Sequence, residues 1–208
     1  MTASAQVILA SASPRRRELL EQIGVRAIVK SVDIDESRKP GEPVKEYVQR
    51  LAMEKAERGF STIKNSQKLP VVGSDTIVVI DGIVLGKPEN RQQAKEMLQQ
   101  LSGQKHTVLT SVAIVTEDKK VIDTSSSEVL FNKLELQEIE DYVATGETDD
   151  KAGSYAIQGL AAQFVKNLNG SFSGVMGLPL FETVQLLKQC GIDPLSNNNN
   201  NNKNKNKI

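Results

Sequence analysis

Tryptophan is absent, cysteine and histidine occur once each, and aromatic residues make up only 4% of the chain. Each scarcity removes a class of protein. A lone Cys190 excludes an internal disulfide and a cysteine-built zinc cage. The only histidine, His106, reads as structural, which leaves no serine–histidine or cysteine–histidine hydrolase pair and no multi-histidine metal site. No apolar run approaches the roughly 18–20 residues of a membrane span. The first residues lack the basic start and long apolar stretch of a secretory signal, so no membrane role is expected and a cytoplasmic location is. The Asn169–Ser171 glycosylation sequon carries no weight without such a signal. Excess positive charge is also missing: 26 Lys and Arg balance 26 Asp and Glu. Three of those lysines lie in a terminal Asn/Lys tail, so the body is acidic by about three charges. A general nucleic-acid binder would show a broad basic face, and an RNA binder would show stacking aromatics. Chemistry on an anion must therefore come from local basic clusters, with carboxylates, lysines, arginines and a hard metal ion as the remaining catalytic means.

The 208 residues suit one domain or two small lobes sharing a core. Residues 6–10 are apolar and lead into Ser13 and Pro14, a cap and first-turn proline for a helix that Gly24 ends. A second strand is expected over 26–32, then a polar loop to Glu42. The helix over 43–60 carries Val44, Val48 and Leu51 on one stripe, and Lys55 is the next step along it. Residues 69–80 form the most apolar strand, interrupted by Gly73, Ser74, Asp75 and Thr76. Asp81-Gly82 is a two-residue hairpin signal. Asn90 should cap a helix ended by Gly103; strands are expected over 106–115 and 120–130, and a helix with Ile139, Tyr142 and Val143 before Gly146. Residues 147–160 read as a functional loop, Asn169-Gly170 as a hairpin, and 180–189 as the last helix. Hairpins mixed with crossover helices imply an α/β fold with a mixed sheet. The domain should span 1–195. The Asn/Lys tail, 196–208, cannot bury apolar surface and should be disordered.

Several polar residues stand where structure alone does not demand them. Ser11, Ser13, Arg15, Arg16 and Arg17 gather at a helix N-terminus, where free N–H groups and added hydroxyl and guanidinium donors suit phosphate. Arg16 falls near the buried edge of that helix, Arg17 on its surface. Asp75 lies inside an apolar strand, and a carboxylate there needs a cation, hydrogen bonds or a metal. Asp33, Asp35 and Glu36 offer the hard oxygens that Mg²⁺ selects. Lys87, in Leu-Gly-Lys-Pro, is a fair phosphate contact, but the spacing from Gly82 and the proline after it rule out a Walker loop. Gln158 carries an amide able to read a base edge as donor and acceptor together. Each feature also has a plain structural reading: a Ser-Pro cap with solvated arginines, a snorkelling lysine, a strand-end aspartate, a solvated acidic turn.

Taken in order, these segments resemble one family. Leu9-Ala-Ser-Ala-Ser-Pro-Arg-Arg-Arg-Glu-Leu-Leu20, Asp35-Glu36, Arg50-Leu-Ala-Met-Glu-Lys-Ala56, Gly73-Ser-Asp-Thr-Ile77, Gly86-Lys-Pro88, Lys151-Ala-Gly-Ser-Tyr-Ala-Ile-Gln-Gly159, Asn169-Gly-Ser171 and Gly177-Leu-Pro179 are similar to those of the Maf nucleoside triphosphate pyrophosphatases. The resemblance covers about residues 6–192. It implies a mixed central sheet with flanking helices, in two lobes around a cleft, similar to inosine triphosphate pyrophosphatases. It also implies hydrolysis of a nucleoside triphosphate between its α- and β-phosphates. By position, Asp75 matches the proton acceptor, and Glu36 a metal-associated carboxylate, so a divalent cation (Mg²⁺ or Mn²⁺) would lie at Glu36 and Asp75. Lys55 and Lys87 complete the catalytic set, and Ser11 and Arg16 match substrate-binding positions. Arg15, Thr76 and Gln158 match positions of base selection. Thr76 and Gln158 point to the branch acting on dTTP and UTP, with CTP and modified pyrimidine nucleotides as further substrates. A homodimer is compatible with the resemblance. The other reading is a nucleotide-binding regulator of cell division with little or no catalysis.

Overall fold

The computed structural model describes residues 5–63 and 69–196. The tail from Asn197 onward lies outside the described residues. Among the described residues, seven strands form one sheet, in the order β2-β1-β3-β5-β6-β7 with β4 paired to β3. They are β1 (Val7–Leu9), β2 (Ala27–Val29), β3 (Val71–Ile80), β4 (Ile83–Leu85), β5 (Lys105–Val115), β6 (Lys120–Phe131) and β7 (Val165–Asn169). β1 runs parallel to β2 and to β3, whereas β3–β4 and β6–β7 are antiparallel, so the sheet is mixed as the element order implied. The helices are α1 (Pro14–Gln22), α2 (Val44–Ser61), α3 (Arg91–Leu101), α4 (Leu136–Ala144), α5 (Phe172–Met176) and α6 (Leu180–Gln189).

The chain divides into two compact units. One comprises the chain up to Asp75, Ser111–Thr124 and everything from Gly177 on. Its core includes Ile8, Ala10 and Val71 in one cluster and Ala52, Ala56, Ala113 and Val115 in another. α2 lies unusually close to the sheet here. A Cβ on Gly73 would fall 2.3 Å from the Ala52 carbonyl oxygen and 2.6 Å from the Ala56 nitrogen, and one on Gly59 would fall 2.8 Å from Val71 Cγ1. Only glycine permits this approach, which brings the Lys55 turn of α2 against β3. Gly73→Ala must push backbone apart. The expected cost is about 1–3 kcal/mol, read as a fall in Tm of several degrees, with activity lost alongside. A Tm equal to wild type would show that this contact is loose.

The other unit comprises Thr76–Thr110 and Ser125–Met176. Its core joins Val78, Ile80, Leu98, Leu101, Phe131, Tyr142, Tyr155 and Phe164. The Asp81-Gly82 turn has positive φ at both residues, 49° and 77°, as a two-residue hairpin requires. Asn90 caps α3 by accepting from the Gln93 N–H at 2.9 Å. His106 is 2% exposed and its Nε2 lies 2.9 Å from the Tyr155 hydroxyl. Burial pulls this histidine down to about 4, so it is a neutral structural residue.

Two expectations need correction. Asn169-Gly170 does not turn into a second strand: β7 pairs with β6, and α5 comes next. Gly170 is instead a close approach, since its Cβ would meet Ser127 Oγ at 2.6 Å. Ser13 occupies the cap position of α1 without a side-chain cap bond; its N–H donates to Ser11 Oγ at 3.2 Å. The segment read as a loop, 147–160, holds a 3₁₀ turn at Ala152–Ser154, and a second, Leu160–Phe164, begins at its end.

Candidate active site

Five of the expected residues meet in the first unit. Lys55 projects from the buried face of α2 and is 8% exposed. Its Nζ lies 2.6 Å from Asp75 Oδ1 and 2.6 Å from Glu36 Oε1. A buried ammonium is costly without anionic partners, and here it has two. Asp75 is 7% exposed in the middle of β3. Burial pushes its carboxyl above the ordinary aspartate range; Lys55 and Arg16 pull it back, and Glu36 adds to the rise. That displacement moves a carboxylate toward the range a general base needs near neutral pH.

Arg16 is half-buried on α1. Its Nε donates to the Gly177 carbonyl at 2.8 Å and its Nη1 donates to Ser11 Oγ at 3.1 Å. Burial lowers this guanidinium, opposed by Asp75 and Glu36, while Arg15 pushes in the same direction as burial. An arginine retains its proton in such a setting and brings fixed positive charge to the carboxylates. Ser74, next to Asp75, donates at 2.9 Å to the same Gly177 carbonyl that Arg16 engages and contacts the Ser111 carbonyl at 2.9 Å. One backbone oxygen thus ties the Asp75 strand to the Arg16 helix.

Glu36 stands on an exposed loop, and its placement depends on residues whose role the sequence did not disclose. Tyr47 of α2 donates its hydroxyl to the Glu36 carbonyl at 2.7 Å. Arg50, one turn further, donates to the Ser37 carbonyl at 2.9 Å and grips Glu42 through two bonds of 2.6 and 2.9 Å. The Arg50 fork, together with the Lys39 N–H, holds the Glu42 carboxyl down to about 2. The loop is therefore laced to α2 at both ends. Arg50 belongs to the segment Arg50–Ala56 that carries part of the resemblance, but nothing in the spacing of that segment marks Arg50 itself.

Arg15 is also in the first unit, half-buried on α1, and the second unit holds Thr76, Lys87 and Gln158. Thr76, the next residue of β3, bonds to Thr110 Oγ1 of β5 at 3.0 Å. It points away from the Asp75 side, as strand alternation demands. Lys87 is exposed just after β4. The Gly153 N–H donates to the Gly86 carbonyl at 3.0 Å, which joins the Lys87 loop to the segment leading to Gln158. Gly153 has φ +66°, and its Cβ would meet Val78 at 2.9 Å, so glycine is required there. Gln158 is exposed, directly after the buried Ile157.

Glu36 and Asp75 are two hard oxygen donors converging on one ammonium. No group of three or more His, Cys, Asp or Glu suited to a metal occurs among the described residues. This donor set does not fit a resident protein cage. It fits a Mg²⁺-type ion that takes one or two carboxylates and completes its shell with water and phosphate oxygens.

A buried carboxyl held above the ordinary aspartate range, a lysine bridging it to a second carboxylate, and an arginine beside them stand together on an α/β scaffold. The chain belongs to the Maf-like protein family, whose model matches residues 6–190. It is 52% identical over 190 residues to a protein of Alkalilimnicola ehrlichii named dTTP/UTP pyrophosphatase, covering 90% of this chain and 94% of that protein. Proteins of the same name from Saccharophagus degradans (51% identical, 88% of each chain) and Aliivibrio fischeri (50%, covering 89% and 98%) are similar to it as well. Among solved structures, the Staphylococcus aureus Ham1 protein is matched with a TM-score of 0.43 and 11% identity, over 60% of this chain and 71% of that one. So loose a likeness adds no argument. Among the described residues no helix is long and apolar enough to cross a membrane.

Proposed function

We propose that this protein is a nucleoside triphosphate pyrophosphatase that hydrolyses dTTP and UTP to the monophosphate and pyrophosphate. The observation that carries the proposal is the Asp75–Lys55–Glu36 arrangement beside Arg16, in a chain about half identical to proteins of that name. Relatives about half identical to this chain are named as pyrophosphatases, so the reading as a nucleotide-binding regulator is not favoured.

Water must attack phosphorus while the bridging P–O bond breaks and pyrophosphate leaves with its negative charge. Asp75 accepts the proton of that water. Arg16 neutralises phosphate oxygens, and Ser11 holds it in place through its hydroxyl. Lys55 keeps Asp75 ionised and oriented, at some cost to its basicity, and fixes Glu36 by the same ammonium. Lys87 supplies a further positive charge to the leaving group. A divalent cation held by Glu36 and Asp75 would supply Lewis-acid neutralisation of the triphosphate. Gln158 reads the base edge, with Arg15 and Thr76 assigned to the same selection. An enzyme of the nucleotide pool would work in the cytoplasm, and a homodimer remains our expectation for its assembly.

The test is pyrophosphate release from a panel of nucleoside triphosphates with Mg²⁺, with Mn²⁺ and with chelator. Release from dTTP and UTP should exceed that from purine triphosphates and should vanish with chelator. Equal use of all triphosphates would refute the specificity. Within the same panel, Gln158→Glu should reduce use of dTTP and UTP by about 1–3 kcal/mol in kcat/KM, more than it reduces the others. A carboxylate keeps the acceptor, loses the N–H donor and sets charge against the base carbonyls. A uniform fall across the panel would remove Gln158 from base selection.

A further inference from the structure

Gln158 is exposed, yet the backbone on both sides of it is held by one pair of side chains. Glu147, just past the end of α4, accepts from the Leu160 N–H through Oε2 at 3.1 Å and from the Ala161 N–H through Oε1 at 3.4 Å. Its Oε1 also accepts the Tyr142 hydroxyl at 2.8 Å. That hydroxyl in turn accepts from the Ala156 N–H at 3.2 Å. Tyr142 is 3% exposed and packs edge-on against Phe164, with ring centroids 5.2 Å apart. Burial and the Glu147 carboxylate push its phenol up, so the proton stays on the tyrosine and the bond to Glu147 has a fixed direction.

The segment therefore has three anchors: Ala156 two residues before Gln158, and Leu160 and Ala161 two and three after it. Between them the Gly159 N–H donates to the Ala156 carbonyl at 2.9 Å and closes a turn with Ile157 and Gln158 at its corner. Ile157 points into the core at 4% exposure, which leaves Gln158 facing outward. The carboxylate lies directly over Gly159, where a Cβ would meet Glu147 Oε2 at 2.2 Å. Glycine at 159 and glutamate at 147 are thus a matched pair. A carboxylate that served only to start the 3₁₀ turn at Leu160 would need neither the Tyr142 bond nor the bare Cα beneath it.

We propose that Glu147, acting with Tyr142, is a positioning residue for Gln158 and thereby for the choice of base. This rests on the reading of Gln158 as the base-selecting amide. An amide discriminates a pyrimidine edge only if its oxygen and nitrogen are presented at a set angle, and a turn free to rock would present either to any base. Removing the clamp leaves the phosphate chemistry of the first unit intact and blurs the selection.

The experiment measures kcat and KM for dTTP, UTP, dCTP, ATP and GTP on wild type, Glu147→Gln, Tyr142→Phe and Gln158→Glu, with Tm for each. Glu147→Gln retains the shape but must turn an N–H toward one of its present donors. Tyr142→Phe retains the ring packing, loses the Glu147 bond and serves if the first variant folds poorly. Either should lower kcat/KM for dTTP and UTP about tenfold, mainly through KM, the size of one lost hydrogen bond. The poorer substrates should move little, so the selectivity ratio shrinks. In a Gln158→Ala background Glu147→Gln should change that ratio no further. If Gln158→Glu alters the ratio but Glu147→Gln and Tyr142→Phe depress all triphosphates alike or none, the inference is wrong and the base reading stands. If Gln158→Glu itself depresses all alike, the base reading fails and this inference with it.

Discussion

Asp75→Asn should cut turnover by about 10²–10⁴-fold, the range lost with a general base, without weakening the fold. The two halves of that expectation come from one feature. Burial holds the Asp75 proton more tightly in the folded protein than in the unfolded chain, where its ordinary value is 3.8. A group with a raised folded pKa contributes stability below its unfolded value and loses it as pH climbs through the folded one. Above its folded pKa the ionised Asp75 is therefore a burden on the fold, and the amide relieves it. Tm should equal or exceed that of wild type. The same displacement governs activity: kcat/KM should rise with pH as Asp75 ionises, on a limb above the ordinary aspartate range. Near-normal turnover in Asp75→Asn would remove the residue from the reaction; a large fall in Tm would show that its pairing with Lys55 outweighs the cost of burial.

Lys55→Met is expected to damage both stability and turnover. The side chain is 10% exposed and joins two carboxylates through one nitrogen. Breaking a buried pair costs up to about 3–5 kcal/mol, because the remaining charge is stranded. Asp75 has a way out, which is to take up a proton, and Lys55 is the strongest of the influences that lower its pKa. Without Lys55 the carboxyl rises further, so the loss should be larger at pH 8 than at pH 5, and the acid limb of activity should move to higher pH. Melting curves at the two pH values separate this from simple loss of packing, which would lower Tm by the same amount at both. Glu36 is 50% exposed and loses its buried anchor in the same variant, so tighter binding of a divalent cation should not result.

The parts of the fold set by local chemistry were legible in the sequence. The Asp81-Gly82 hairpin, the Asn90 cap and the span of α6 arise from turn preference, capping and helical period, which act within a few residues. Asn169-Gly170 misled because the dipeptide favours a turn without choosing the next element; β7 finds its partner in β6, an earlier strand. Lys55 and Asp75 could be singled out because a charge on an apolar stripe or in an apolar strand needs a partner. Their partnership could not, since it depends on how closely α2 lies on β3, and Gly73 only hinted at that. Tyr47, Arg50, Glu147 and Tyr142 have roles that are not legible for a related reason. They act on backbone groups of distant loops, and a side chain that holds a carbonyl or an N–H leaves no periodic trace.

Cleavage of dTTP and UTP should fall between the α- and β-phosphates. Phosphorus NMR of the products of dTTP with Mg²⁺ tests it most directly. The wild type should give dTMP and pyrophosphate in equal amounts, and Asp75→Asn should not; dTDP with free phosphate, or no conversion at all by the wild type, would exclude this cleavage.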